Sequence, residues 1–422
     1  MAKDIEKTYR LSLDRTSRVQ QLNEWLSRNY KNKNFNLKIQ TTTDRIYPNV
    51  CAPIAGIIDY YKGLGMKINV SSKPKSYAFH TKFWNPHKVE STANSDICYP
   101  LDKVWTFETS EGVNKLVNAL ILALRQSDTI EPGVIKSVEW CTNEVMDNVL
   151  QHSKSGKGYV MAQIQKQAKI FSFCVYDCGI GIYNSLKDTK YHPEKPIDAI
   201  TLALQERITR DESIGQGNGL WGLSNIVKDS NGNMEISSGG AKYCYNGGKI
   251  KTIKEGGFVL SRGYGTSFID VQINYDKEIN IFNSLGGYEP LDLWLENLED
   301  ENDNYVLKVA ELSSGTGTRQ AAQKLKNIAL NISNIEKKIV IFDFNGINLI
   351  SSSFADELIG KLINEKGLYY FMSAFKITHL SAENIAVLNR SVEQRMAYKF
   401  YSQKNKTKEI KTVVHRKSEV KK

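Results

Sequence analysis

The stretch Cys141–His152, CTNEVMDNVLQH, constrains this chain most, because it reads as a helix with polar residues where a core helix carries apolar ones. Glu144 and Asn148 lie four apart and His152 four further on, so the three share one helix face. Val145, Val149 and Leu150 point elsewhere and can pack. A carboxylate and an amide one turn apart can serve a metal-bound phosphate: the carboxylate activates a nucleophile and the amide oxygen ligates Mg²⁺. An isolated ExxxN also describes a solvated helix face. The residues that follow separate the two readings.

FSFCVYDCGIGI is an apolar run that reads as a buried strand, ended by Asp177 with Gly179 and Gly181 behind it. SIGQGNGLWGLSNIVKD places Gly215, Gly217 and Gly219 at the opening of a helix, where backbone N–H groups and the helix dipole favour an anion. GYGTSFIDVQINY is a Gly265-Thr266 turn running into an alternating strand. Each alone is commonly a turn. Together, in the order helix, strand end, helix start and strand, they resemble the GHKL ATPase superfamily over about residues 106–276. That superfamily includes gyrase, the large heat-shock chaperones, histidine kinases, MutL and the anti-sigma-factor serine kinases.

The resemblance implies an α+β sandwich that binds ATP with Mg²⁺. Carried over position by position, Glu144 is the general base and Asn148 holds Mg²⁺. Asp177 accepts from the adenine amino group, Gly179 permits close approach of the base, and Gly181 lets a lid hinge. Gly215, Gly217 and Gly219, with Leu220 behind them, face the phosphates, and Thr266 supports Asp177 and adenine through water. The lid corresponds to residues 182–214, with a helical core PIDAITLALQERITR; Arg207 and Arg210 either reach phosphate or are solvated lid charges. His152 is a site residue or a helix histidine packed beneath the site. Gln151 stands where histidine kinases often carry a basic residue, and no helical hairpin with a His-Glu or His-Asp phosphoacceptor precedes it. A two-component sensor kinase is therefore not expected.

With 422 residues the chain has room for two or three domains. No apolar run approaches a membrane span, and the start MAKDIEKTYRLSLDR has no apolar signal core, so a cytosolic protein with no membrane partner is expected. Cys51, Cys98, Cys141, Cys174, Cys178 and Cys244 form no CxxC pair or zinc spacing and read as reduced. The net charge of +10 is partly concentrated in KNKTKEIKTVVHRKSEVKK. This basic tail, residues 401–422, reads as a solvated terminus; no nucleic-acid-binding motif accompanies it, so nucleic acid is not an expected partner.

Residues 1–103 read as an N-terminal α/β domain: a polar helix in LDRTSRVQQLNEWLSRNY, then a helix, a Gly63–Gly65 stop and a strand over Met66–Val70. His80 and His87 read as surface-loop histidines. Residues 104–276 are the expected ATP-binding domain, with a strand hairpin in GGAKYCYNGGKIKTIKEGGF, and the acidic run 277–303 is a linker. Residues 304–400 alternate: strand Tyr305–Glu311, helix Thr318–Ile332, strand Ile339–Phe344, helix Ser352–Glu365, strand Lys376–Leu380 and helix Ala382–Tyr398. The overall class is α/β.

Within that C-terminal part, KKIVIFDFNGINLISSSFADELIGKL resembles STAS domains, the anti-sigma-factor-antagonist fold. Asp343 matches the strand end and Ser352 the phosphorylated serine; Ser351 replaces the family's acidic residue and Phe354 its glycine. Ser352 is thus a phosphoacceptor or only a helix N-cap. CAPIAGIIDYYKGLGMKINV and SSFADELIGKLINEKGLYYFM both read as helix, Lys-Gly turn, strand, which suggests a second STAS-like unit at the N-terminus. The resemblances together imply a signalling ATPase or protein serine kinase acting on a protein partner. The alternative is an ATP-gated homodimer switch that uses the STAS-like domain for docking.

Overall fold

The computed structural model describes residues 7–12, 16–29, 34–40, 46–71, 81–93, 97–206, 208, 219–255, 260, 265–288, 290, 295, 298–335 and 338–397. His80, Arg207, Arg210, Gly215, Gly217 and the basic tail lie outside them. The chain divides into two compact units, one of residues 1–124 and 130–291, the other of 125–129 and 292–422. Among the described residues no helix is long and apolar enough to cross a membrane.

The first unit opens with β1 (Lys7–Ser12), α1 (Thr16–Asn29), β2 (Asn34–Gln40), α2 (Pro48–Gly63) and β3 (Lys67–Ser71). The strands form a parallel sheet in the order β1-β2-β3. β1 and β2 are absent from the expected elements, because polar alternation in KTYRLS and NFNLKIQ leaves only a weak strand signal. Pro48 starts α2 without breaking it, since its missing N–H has no partner at a first turn. Val50 through Ile58 of α2 are all buried, the pattern of a helix covered on both sides.

One cover is a second sheet. It takes β4 (His87–Lys88), β5 (Val104–Phe107), β6 (Gly158–Gln165), β7 (Ile170–Asp177), β8 (Asn233–Ser238), β9 (Ala241–Asn246), β10 (Lys249–Ile253) and β11 (Ser267–Asn274) in the order β10-β9-β8-β11-β7-β6-β5-β4. All neighbours are antiparallel except β4 with β5. α2 packs on β6 and β7 from one face, and Tyr159, Met161, Cys174, Tyr176 and Phe268 join its core. On the other face lie α3 (Ser110–Ser127) and α4 (Val134–His152), which meet Val160, Ala162, Phe171, Phe173 and Val175. With both faces covered, β7 is apolar at nearly every position before Asp177, with Ser172 the buried exception.

The sheet also explains why residues 1–103 and 104–276, separate in the sequence reading, share one unit: each completes the other's core. His87 is a strand residue rather than a loop residue, its ring 5.1 Å from Trp105. The hairpin β9–β10 forms as expected, turning on Gly247 and Gly248, both at positive φ. All six cysteines are free. After β7 come α5 (Gly181–Leu186), α6 (Pro196–Ala203) and α7 (Gly219–Asp229), and after β11 the short α8 (Ile281–Ser284).

The second unit contains β12 (Tyr305–Lys308), α9 (Arg319–Ile335), β13 (Val340–Asp343), a helical run over Ser352–Lys366, α10 (Leu368–Ala374), β14 (Phe375–Thr378) and a helix over 382–397. Its sheet is parallel in the order β12-β13-β14, the same βαβαβ order as the N-terminal sheet. The expected strand in GLYYFM is instead helix α10, and pairing starts only at Phe375, because tertiary packing overrides the β preference of aromatic residues. The expected first strand stops at Lys308, where a helical turn Val309–Leu312 takes over. Ser352 does not cap the helix after β13. Ser351 does, its hydroxyl accepting the Phe354 N–H at 3.0 Å, and Ser352 is the exposed first helical residue.

Midway along that run, Asp356–Gly360 is π-helical and holds two carboxylates. Arg395 pairs with Asp356 through Nε at 2.6 Å and Nη2 at 2.8 Å. Glu357, 2% exposed, meets Lys361 and the buried Lys326, whose Nζ lies 3.4 Å away. Glu357→Gln weakens the partner of a buried ammonium and is expected to cost about 2 kcal/mol in denaturant unfolding. An unchanged midpoint would mean Glu365, 3.5 Å from Lys326, suffices.

Candidate functional site

A cavity of about 410 Å³ lies in the first unit, within the range of small-molecule sites. One wall is α4. Trp140, Glu144, Asp147, Asn148, Gln151 and His152 line it, spaced so that one helix face runs along the cavity for three turns. The polar stripe noticed in the sequence is therefore a cavity wall, while Val138, Cys141 and Met146 face the core.

The floor is set by β7 and β11, whose register places Ser267 opposite Asp177. Asp177 is 1% exposed overall but touches the cavity. The Gly179 N–H donates to Asp177 Oδ1 at 2.7 Å, and Ser267 bonds the same carboxylate. Thr266, expected beside Asp177, is buried behind the wall at φ +91, its N–H donating to the Gly179 carbonyl at 2.8 Å. Ser267 is the hydroxyl that lines the cavity there. Gly179 cannot be replaced: a Cβ would lie 2.1 Å from the Ser153 carbonyl oxygen. Ile180 N–H donates to that same oxygen at 2.8 Å, tying the strand end to the end of α4.

The remaining wall comes from α5 (Gly181, Ile182, Ser185, Leu186), from Ala203 and Ile208, and from the first residues of α7, Gly219, Leu220 and Trp221. Gly219 stands so close to α4 that a Cβ would meet Glu144 Oε2 at 2.3 Å. Of the residues singled out in sequence, Glu144, Asn148, Asp177, Gly181, Gly219 and Leu220 thus line one cavity, and Gly179 and Thr266 buttress it. Gly215 and Gly217 lie outside the described residues, and Ser352 belongs to the second unit.

Three carboxylates share this cavity. Burial raises Asp177 to about 6 against the opposing pull of the Gly179 and Ser267 hydrogen bonds. Burial, then the neighbouring Asp147 charge, raises Glu144; burial raises Asp147. Among the described residues no lysine or arginine lines the cavity, and no group of three His, Cys, Asp or Glu side chains could hold a metal ion by itself. The sequence reading missed Asp147 and Trp140, both legible from their helical spacing to Glu144. It also missed Leu285 and Tyr288, which complete the wall from a segment with no motif.

Residues 321–384 match a STAS-like domain of unknown function, DUF4325, placing a STAS-like domain in the second unit. The match covers α9, β13, the Ser352–Lys366 run, α10, β14 and the start of the last helix. No curated protein matches the chain.

Proposed function

We propose that the cavity binds Mg·ATP in the manner of the GHKL ATPases, and that the chain is a signalling ATPase or protein serine kinase acting on a protein partner. The observation that carries this is convergence: residues from four stretches, spread from Glu144 to Ser267, line one cavity of nucleotide size.

The electrostatics agree with that choice. A polyphosphate entering a cavity with Glu144, Asp147 and Asp177, and with no cation among its described lining residues, needs a divalent ion between the charges. Asn148 offers the oxygen that would hold Mg²⁺, and the phosphates would supply further ligands, as Mg²⁺ sites commonly do. The ion would supply positive charge that offsets the charge of the phosphates. Glu144, with its affinity for a proton raised by burial, is suited to take one from water or a hydroxyl. Asp177 is an anionic acceptor at the cavity floor, suited to an exocyclic amine.

The GHKL-type sandwich, ATP, Mg²⁺ and kinase activity all belong to this proposal; the homodimer belongs to the alternative, the ATP-gated switch. The test uses the full chain with Mg²⁺ and γ-labelled ATP, counting protein-bound label and released phosphate. Label lost in Ser352→Ala identifies a kinase acting on its own STAS-like domain. Phosphate release with no label on wild type or variant leaves the conformational ATPase. No nucleotide binding by calorimetry overturns the whole reading.

A further inference from the structure

The segment after Asp276 reads as a linker, yet residues 279–288 are built into the wall of the cavity. Ile279 N–H donates to Pro132 O at 3.0 Å, and the Ile279 carbonyl oxygen lies 1.8 Å from where a Cβ on Gly133 would sit. The segment is therefore pressed onto the start of α4. From the other side, Asn225 of α7 donates to the Ser284 carbonyl at 3.1 Å, and the Ser284 hydroxyl bonds Asp229. Leu285 is buried against Gly222 of α7. Gly287 N–H then donates to Phe282 O at 2.7 Å, and Tyr288 lines the cavity.

One strap thus bridges the two helices that carry Glu144 and Asn148 on one side and Gly219 on the other. Its place along α4 fixes which end of a ligand it meets. Asp177 is anchored beside Ser153, whereas Leu285 and Trp140 converge on Gly222, about 20 Å away along α4. Leu285, and with it the strap that carries Tyr288 into the cavity wall, is therefore on the Glu144 side. Tyr288 is 59% exposed, so it has surface left to bury when a ligand arrives. The longer segment of the second unit begins four residues later.

We propose that Tyr288 is a nucleotide-positioning residue whose phenol hydroxyl donates to the terminal phosphate of ATP, and that the strap thereby links nucleotide state to the chain entering the STAS-like unit. This rests on the nucleotide reading of the cavity. A donor at that end meets the third phosphate and not the second, so ATP holds the strap and ADP releases it. A single hydrogen bond to a charged oxygen predicts that Tyr288→Phe weakens binding of a non-hydrolysable ATP analogue by about five- to tenfold and leaves ADP affinity unchanged.

The second measurement is hydrogen exchange of residues 279–288 in the full chain, with Mg²⁺ and either no nucleotide, ADP or the analogue. Protection greater with the analogue than with ADP, and lost in Tyr288→Phe, is expected. Equal exchange in all three states, with calorimetry showing that both nucleotides bind, overturns the proposal while leaving the nucleotide reading intact. So does a phenylalanine variant that binds the analogue as tightly as wild type. Failure of both nucleotides to bind removes the reading and the proposal together.

Discussion

Asp177→Asn is expected to weaken nucleotide binding by about 100-fold or more while leaving the nucleotide-free protein at least as stable as wild type. The two effects have one cause. A carboxylate buried in the cavity floor, raised to about 6, is ionised at pH 7 only against its desolvation. Because its folded value lies above the 3.8 of a free aspartate, the folded protein binds the extra proton between those limits. Stability is therefore gained as pH falls through about 6, and the full cost of the charge is carried above it. Removing the charge lifts a cost of up to about 3 kcal/mol at neutral pH, partly offset where an amide N–H₂ replaces the oxygen that faces Ser267.

On the proposed nucleotide reading, binding runs the other way, since the ionised acid is the better acceptor for an adenine amine. Adenosine binding, which brings no phosphate to titrate, should weaken as pH falls through about 6. A variant that binds ATP normally would place the base elsewhere. A variant that loses binding together with several degrees of melting temperature would make Asp177 a structural residue.

The parts of the site that were legible in sequence are those fixed by local rules. Helical spacing put Glu144, Asn148 and His152 on one face, and that face is the cavity wall. A strand covered on both faces announces itself by a largely apolar run, so Asp177 was found at its end. What lies opposite a residue is not local. Ser267 meets Asp177 through the β7–β11 register, and a shift of one position separates it from the Thr266 that the motif suggests. Leu285 and Tyr288 reach the cavity through contacts with α4 and α7 that no periodicity encodes. The same limit hid the capping role of Ser351 behind its neighbour and the α10 helix behind its aromatic residues.

Glu144→Gln should lower ATP turnover by about 100- to 10,000-fold, the range for a lost general base, while nucleotide affinity stays within about twofold. The amide keeps the shape of the side chain, so the wall of α4 and its packing on Gly219 persist. Only proton acceptance is lost. The wild-type rate should fall as pH drops through a value above that of an ordinary glutamate, because burial and then the Asp147 charge disfavour ionisation. Asp147→Asn removes the second of these causes and should move that limb to lower pH. Gly219→Ala tests position rather than charge: a Cβ 2.3 Å from Oε2 must displace the carboxylate, so turnover should fall although the base is still present. If Glu144→Gln turns over at the wild-type rate, the nucleophile is activated by another group. If Glu144→Gln is inactive and Gly219→Ala is fully active, the base acts without the positioning that the α4–α7 contact imposes, and tight packing at that point serves the fold alone.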